Sequence, residues 1–108
     1  MTKPNILYLH CHDVGRYVQP YGHNIPTPNL MKLAGEGVVF RHAFCANPTC
    51  SPSRAALLTG QWPHQNGMFG LAGRRGWNLY DQSRHMAPTL RERAGYFTAK
   101  AGVTHVGP

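Results

Sequence analysis

The sequence of 108 residues is long enough for one small domain, and its hydrophobic share of 42% is typical of a globular chain. Its 11 Lys and Arg residues outnumber 4 Asp and Glu residues, and the resulting charge of +7 favours anionic ligands. Because the chain lacks a membrane-spanning apolar run, a signal peptide and a long basic arm, we expect a cytoplasmic protein that binds neither membranes nor nucleic acids.

The pattern of elements along the chain alternates between strands and helices. Three apolar runs predict buried strands, at residues 5–11, 38–45 and 96–101. Helix start and stop signals predict three helices. The first runs from Thr27-Pro28 to Gly35–Gly37, the second from about Pro52 to Leu58, and the third from Pro88 to Ala94. The glycine-rich stretches 15–28 and 61–81 predict loops.

This order of elements predicts an α/β fold. The third predicted strand is followed by only a few residues, so we expect the chain to be the N-terminal piece of a larger α/β domain, with sheet edges that need further partners. His12 and Asp13 directly follow the first strand. Ligands of open α/β sheets bind at that end of the strands, which makes both residues candidates for a site.

The segment CSPSRAALLTG, residues 50–60, is the densest group of reactive side chains. Cys50 is predicted at or just before a helix N-terminus, where free N–H groups and the helix dipole favour anions and lower a thiol pKa. Arg54, one turn later, can bind an oxyanion. The alternative is a capped helix with a small buried cysteine; Cys11 and Cys45, on apolar strands, are expected to be core thiols.

The same segment resembles the signature of the formylglycine-dependent (type I) sulfatases, Cys-x-Pro-Ser-Arg followed by Leu-Thr-Gly. Further similar segments are PNIL at 4–7, IPTPNL at 25–30, GVVFRHAF at 37–44, PHQNGM at 63–68 and THVGP at 104–108. HQNGMFGL and THVGP are most similar to the branch that contains heparan N-sulfatase (sulfamidase). The resemblance implies an alkaline-phosphatase-like fold, a mixed or parallel sheet flanked by helices, with residues 1–108 as the N-terminal part of the catalytic domain.

The resemblance implies hydrolysis of a sulfate ester or sulfamate, including one carried on a sugar. In this family a separate formylglycine-generating enzyme converts the signature cysteine to an aldehyde, whose hydrate attacks sulfur. A divalent metal, usually calcium, holds the sulfate and the nucleophile. Carried over to this sequence, Cys50 is the formylglycine precursor and a metal ligand, Arg54 steadies the formylglycine, Asp13 is a second metal ligand and His105 contacts the hydrate or sulfate.

Two positions depart from the family pattern. His12 stands where the family has a first aspartate, and imidazole suits manganese or zinc better than calcium. With His10 it could instead form a transition-metal site with Asp13. Val103 stands where the family has a sulfate-binding lysine, and Lys100, three residues away, should point to the opposite face of a strand and therefore not replace it.

Two other functions stay open at this point. A related phosphonate or phosphate ester hydrolase could use the same nucleophile, because phosphate and sulfate are nearly isosteric. A non-catalytic homologue, or a fragment that binds metal or anions without turnover, would fit the departures at His12 and Val103. We expect the 108-residue piece alone to be inactive.

Overall fold

The computed structural model describes residues 3–73 and 76–107, and the chain divides into two compact units, Met1–Ala43 and Phe44–Pro108. The first unit contains helix α1, Pro28–Glu36, and a 3₁₀ turn, Gln19–Tyr21. The second contains α2, Cys50–Thr59; α3, Pro63–Asn66; a 3₁₀ turn, Gln82–Arg84; and α4, Met86–Ala94.

Helix α1 begins where the sequence predicts, with Pro28 in its first turn, but Thr27 does not cap it with its side chain. Thr27 Oγ1 accepts a hydrogen bond from the Gln19 amide, at 3.1 Å, and the Thr27 amide donates to Gln19 Oε1, also at 3.1 Å. This reciprocal pair ties the 3₁₀ turn to the start of α1. The Met31 amide then makes the first helical bond, to the Thr27 carbonyl.

The core of the second unit forms between α2 and the segments that follow it. Its fully or largely buried apolar residues are Ala55, Met68, Leu79 and Val106, against which Leu58 and Ala72 pack. Helix α3 lies inside the stretch predicted as a loop. It is nucleated by Pro63 in its first turn and by Gln65 Oε1, which accepts from the Trp62 amide at 3.0 Å.

The predicted sheet is not seen in the described residues. Within 3–73 and 76–107 there is no strand, only an isolated parallel bridge between Ala72 and Trp77. The three segments predicted as strands are irregular, and their apolar side chains are largely exposed, for example Leu7 at 82% and Phe97 at 92%. A strand makes its backbone hydrogen bonds with a neighbouring strand, so an apolar segment without such a neighbour stays irregular however strong its β-propensity.

Two helix starts differ from prediction by a few residues. Helix α2 begins at Cys50 rather than Pro52, and α4 begins at Met86 rather than Pro88 because His85 Nδ1 accepts from the Ala87 amide, at 3.1 Å, and caps the helix earlier. Across the described ranges, no helix has the length and apolar character needed to cross a membrane.

Candidate functional site

Cys50 is the first residue of α2. The residue before it, Thr49, is extended, and its amide donates to Asn47 Oδ1 at 2.8 Å, which fixes the turn into the helix. The Ser53 amide makes the first helical bond, to the Thr49 carbonyl at 3.1 Å. The Cys50 thiol, which is half-buried, therefore stands in the first turn, where backbone N–H groups lack helical partners and favour negative charge.

The opposite side of this first turn is anchored in the protein. Ser51, Pro52 and Ala55 are buried, and Ser51 Oγ accepts a hydrogen bond from the Ala72 amide at 2.9 Å. A buried serine with a bonded hydroxyl fixes the rotation of the helix about its axis. That rotation determines which way the adjacent Cys50 is presented, so Ser51, at the unspecified position of the signature, has a structural role that its polarity alone did not predict.

Arg54 joins the helix to the segment near the end of the chain. Its Nη1 donates to the Val103 carbonyl at 2.8 Å and lies 3.5 Å from the Thr104 carbonyl. Because a guanidinium has five N–H donors, Nε and Nη2 remain able to bind an anion. Arg54 and His105 are both predicted for the same site, and the structure brings Arg54 to the two residues just before His105.

His105 is held in an unusual backbone conformation. Its φ is +58°, in the left-handed region, where non-glycine residues are uncommon, and its side chain is half-buried. The one other non-glycine residue with positive φ within 3–73 and 76–107 is Asp13, at +54°. Both are residues that the sequence assigns to the site, and backbone strain of this kind, about 1–3 kcal/mol each, concentrates at functional positions.

His12 and Asp13 form an exposed side-chain contact in the first unit. His12 Nδ1 lies 2.8 Å from Asp13 Oδ2, and the side chains are 54% and 84% exposed. His10, proposed as a partner in a transition-metal site, bonds Tyr8 instead, with Nδ1 at 2.8 Å from the tyrosine hydroxyl. The imidazole of His12 is therefore engaged with the carboxylate rather than grouped with a second histidine.

The described residues do not form a complete metal site. No three His, Cys, Asp or Glu side chains among 3–73 and 76–107 come together in a metal-binding arrangement. Calcium takes six to eight oxygen ligands, and Asp13 and Cys50, the carboxylate and thiol assigned to it, fall far short of that set. The donors of the described residues alone therefore do not complete a site for the expected ion.

The cysteines outside the signature differ from expectation. Cys11 and Cys45 are exposed rather than buried in a core. Both belong to the apolar segments that lack strand partners, and this is the physical reason for their exposure. Their sulfurs have no disulfide partner.

Two residues near His105, Lys100 and His85, were assigned no role from the sequence. Lys100 Nζ donates to Thr104 Oγ1. Among the described residues, 96–101 do not form a strand, and Gly102 has a φ of +86°. The expected orientation of Lys100 relative to residue 103 therefore stays a prediction.

The second of these residues is His85, which caps α4. Partial burial lowers its pKa below the ordinary value of 6.5, since burial disfavours the charged form. The nearby Asp81 has its pKa lowered by hydrogen bonds from the hydroxyl and amide of Ser83, helped by Arg84. Near neutral pH this region therefore holds a neutral imidazole and an ionised carboxylate.

Comparison with known proteins gives a consistent result. The sequence model of a family described as Sulfatase matches residues 4–108. N-acetylgalactosamine-6-sulfatase of the dog (Canis lupus familiaris) is 39% identical over 118 residues, covering 96% of this chain and 22% of that protein. Human N-sulphoglucosamine sulphohydrolase is 43% identical over 106 residues, covering 96% of this chain and 21% of that protein. An ulvan-active sulfatase of Formosa agariphila is 44% identical over 66 residues, covering 60% of this chain and 11% of that protein. The chain spans about a fifth of the length of the first two relatives.

Proposed function

Because the chain belongs to the sulfatase family, we propose that the protein containing it hydrolyses a sulfate ester or sulfamate through a formylglycine made from Cys50. Two of its relatives are named for amino-sugar sulfates and a third for ulvan, which supports a sulfated saccharide as the substrate class. The observation that carries the proposal is the placement of Cys50 at the first residue of a helix whose orientation is fixed by the buried Ser51.

Position 50 suits a nucleophile that must carry negative charge. One hydroxyl of the formylglycine hydrate attacks sulfur, the bond from sulfur to oxygen or nitrogen breaks, and the alcohol or amine leaves with a proton. Loss of the proton from the second hydroxyl then re-forms the aldehyde and expels sulfate. A plain alcohol at this position would end as a stable sulfate ester, so the second hydroxyl is what permits turnover.

Three further residues have roles in this proposal. Arg54 keeps donors free beside its bonds to the 103–104 carbonyls and steadies the charge at position 50. His105 contacts the hydrate or the sulfate. Asp13, with its strained backbone, would supply a hard oxygen ligand to the divalent cation that the family uses, calcium by preference, while His12 would favour manganese or zinc. The remaining ligands would have to come from outside the described residues.

A sulfatase domain implies an α/β fold, and we propose that residues 1–108 are the N-terminal part of an alkaline-phosphatase-like catalytic domain. The exposed apolar side chains of segments 5–11, 38–45 and 96–101 support this proposal. Three such segments bury their side chains and satisfy their backbone groups if further strands of the same domain pair with them. The isolated 108-residue piece would then lack both sheet and activity.

Peptide mass spectrometry of the protein from its own host tests the nucleophile directly. Conversion of the Cys50 thiol to the aldehyde lowers the mass of its peptide by about 18 units, whereas ordinary cysteine oxidation adds oxygen. We expect that loss at Cys50 and not at Cys45. An unmodified thiol in a host that carries the formylglycine-generating enzyme would refute the proposed mechanism.

Variants at two cysteines separate a catalytic thiol from a structural one. Cys50→Ala should abolish turnover, and Cys50→Ser should at most release one equivalent of alcohol before the sulfate ester stops the reaction. Cys45→Ala, which removes an exposed thiol, is the matched control and should retain activity. Equal loss in both alanine variants would indicate a general folding defect and contradict a specific role for Cys50.

The substrate class is tested with paired esters. An aryl sulfate and the phosphate ester of the same phenol have the same leaving group and differ only in the central atom and charge. We expect faster turnover of the sulfate. Preference for the phosphate ester would reassign the protein to the phosphoester hydrolases that share this nucleophile.

A further inference from the structure

A cavity of about 420 Å³ lies beside His105 in the second unit. Its polar lining residues are Gln82, His85, Lys100, Thr104 and His105. None of these carries a carboxylate, and Lys100 carries a full positive charge. All the other polar side chains of the lining can donate a hydrogen bond. Such a surface is complementary to an oxyanion.

Lys100 is held at this cavity by the turn that follows it. Gly102 is left-handed and bends the chain, and Lys100 Nζ donates to Thr104 Oγ1. An ammonium group has three donors, so two remain after this bond. The Thr104 carbonyl lies 3.5 Å from Arg54 Nη1, so the same residue is held from both sides.

His85 contributes a donor of fixed tautomer. Its Nδ1 accepts from the Ala87 amide at 3.1 Å, so in the neutral imidazole the proton resides on Nε2. The neutral form is favoured because burial lowers the pKa of His85. Among the described residues Nε2 has no hydrogen-bond partner, so Nε2–H is a neutral donor that an anion in the cavity could use without displacing a described protein acceptor.

Another cavity of this unit provides a contrast. Its volume is about 380 Å³ and its lining includes Asp81 and Glu92 together with Arg84 and Arg93. There Arg84 Nε lies 3.4 Å from Asp81 Oδ2, and the two carboxylates of the lining balance its two arginines. A mixed lining of this kind has no net preference for an anion, whereas the lining that includes Lys100 has one.

We propose that the cavity beside His105 binds an oxyanion group of the ligand, a sulfate or a carboxylate of a saccharide, with Lys100 as its cation and His85 as a neutral donor. The identification of the ligand as a saccharide rests on the proposed function, whereas the binding of an anion does not. The site would give the protein selectivity for polyanionic sugars over neutral sugars that carry a single sulfate.

Residue-specific histidine modification tests this site in the full-length protein. Diethyl pyrocarbonate reacts with accessible imidazoles, and peptide mass spectrometry measures the rate at each histidine. Inorganic sulfate, or acetate for the carboxylate source, should slow modification of His85 saturably relative to chloride at equal ionic strength. The exposed His42, which lies outside the cavity, is the internal control.

Lysine variants assign the effect to the cavity. Lys100→Met should weaken protection of His85 about tenfold or more in sulfate concentration, because the only full charge of the lining is removed. Lys32→Met, which removes an exposed lysine of α1, should leave protection unchanged. No protection by either anion, or equal protection in the two variants, would overturn the proposal.

The same measurement in a Cys50→Ala background separates the two proposals. Protection of His85 that persists there shows anion binding without the nucleophile. Turnover of sulfate esters by the protein with Cys50 intact, together with unprotected His85, would retain the proposed function and refute the anion cavity. Protection of His85 in a protein without turnover and without formylglycine would support the anion cavity and refute the proposed function.

Discussion

The bond between Ser51 and Ala72 makes the strongest structural prediction, because it fixes the helix that presents Cys50. Ser51 is fully buried, and its Oγ accepts from the Ala72 amide at 2.9 Å. Ser51→Ala removes the acceptor and leaves that amide without a partner. A buried donor left unsatisfied costs about 1–3 kcal/mol. Ala72 is half-buried, so water can partly replace the lost bond, and we expect the lower half of that range, about 1–2 kcal/mol.

The matched control is Ser53→Ala, two residues along the same helix. The Ser53 hydroxyl has no hydrogen bond to the residues that the structure describes, so its removal should change the free energy of unfolding by less than about 0.5 kcal/mol. Both variants exchange serine for alanine in the first turns of α2, and their intrinsic helix propensities change alike.

Amide hydrogen exchange of the full-length protein gives a local readout. We expect the Ala72 amide to exchange about tenfold faster in Ser51→Ala, since about 1.4 kcal/mol corresponds to a factor of ten. Sulfatase turnover should fall as well, because the orientation of residue 50 is no longer fixed. Equal Ala72 exchange rates in the two variants would refute the argument that Ser51 anchors the helix.

Three further predictions concern backbone conformation and pH. Gly67→Ala should lower the free energy of unfolding, measured by urea denaturation, by more than about 1 kcal/mol, because φ is +85° and the new Cβ would lie 2.5 Å from the Tyr80 ring. Gly35→Ala, in open space on α1, should raise the same free energy by about 0.5–1 kcal/mol. His105→Gly should leave that free energy unchanged or raise it by up to about 1 kcal/mol, since φ +58° suits glycine, while turnover is lost. The free energy of unfolding should fall as pH drops below 6.5, because His85 takes up a proton more readily in the unfolded chain. His85→Asn keeps an N-cap acceptor and should flatten this dependence of the unfolding free energy on pH, measured by denaturation at several pH values.

Each of these has an outcome that contradicts it. If both glycine variants changed the free energy of unfolding in the same direction, positive φ would not control stability at residue 67. A large loss of stability in His105→Gly would make this histidine a packing residue rather than a strained functional one. An unchanged pH slope in His85→Asn would assign the acid sensitivity to another group.

The local features of the chain were predictable from its sequence. The helix signals placed α1, α2 and α4 within a few residues of their observed bounds, because proline in the first turn and glycine after the last act over short distances. The signature at residues 50–60 identified the sulfatase family, since many specified positions are met at once. The expected sheet stays a prediction, because a strand depends on partners that local sequence cannot supply.

The tertiary structure decided what the side chains of the signature contact. Pattern alone could not pair Ser51 with the Ala72 amide or Arg54 with the Val103 carbonyl, since these residues are 21 and 49 positions apart. The expected orientation of Lys100 relative to residue 103 stays a prediction, because the face of a side chain follows from strand geometry only where a strand forms. The sequence by itself determined the family and the candidate nucleophile, which depend on residue identity and short spacing. Only the tertiary structure decided how Cys50 is oriented and which donors surround His105, because those depend on contacts between segments distant along the chain.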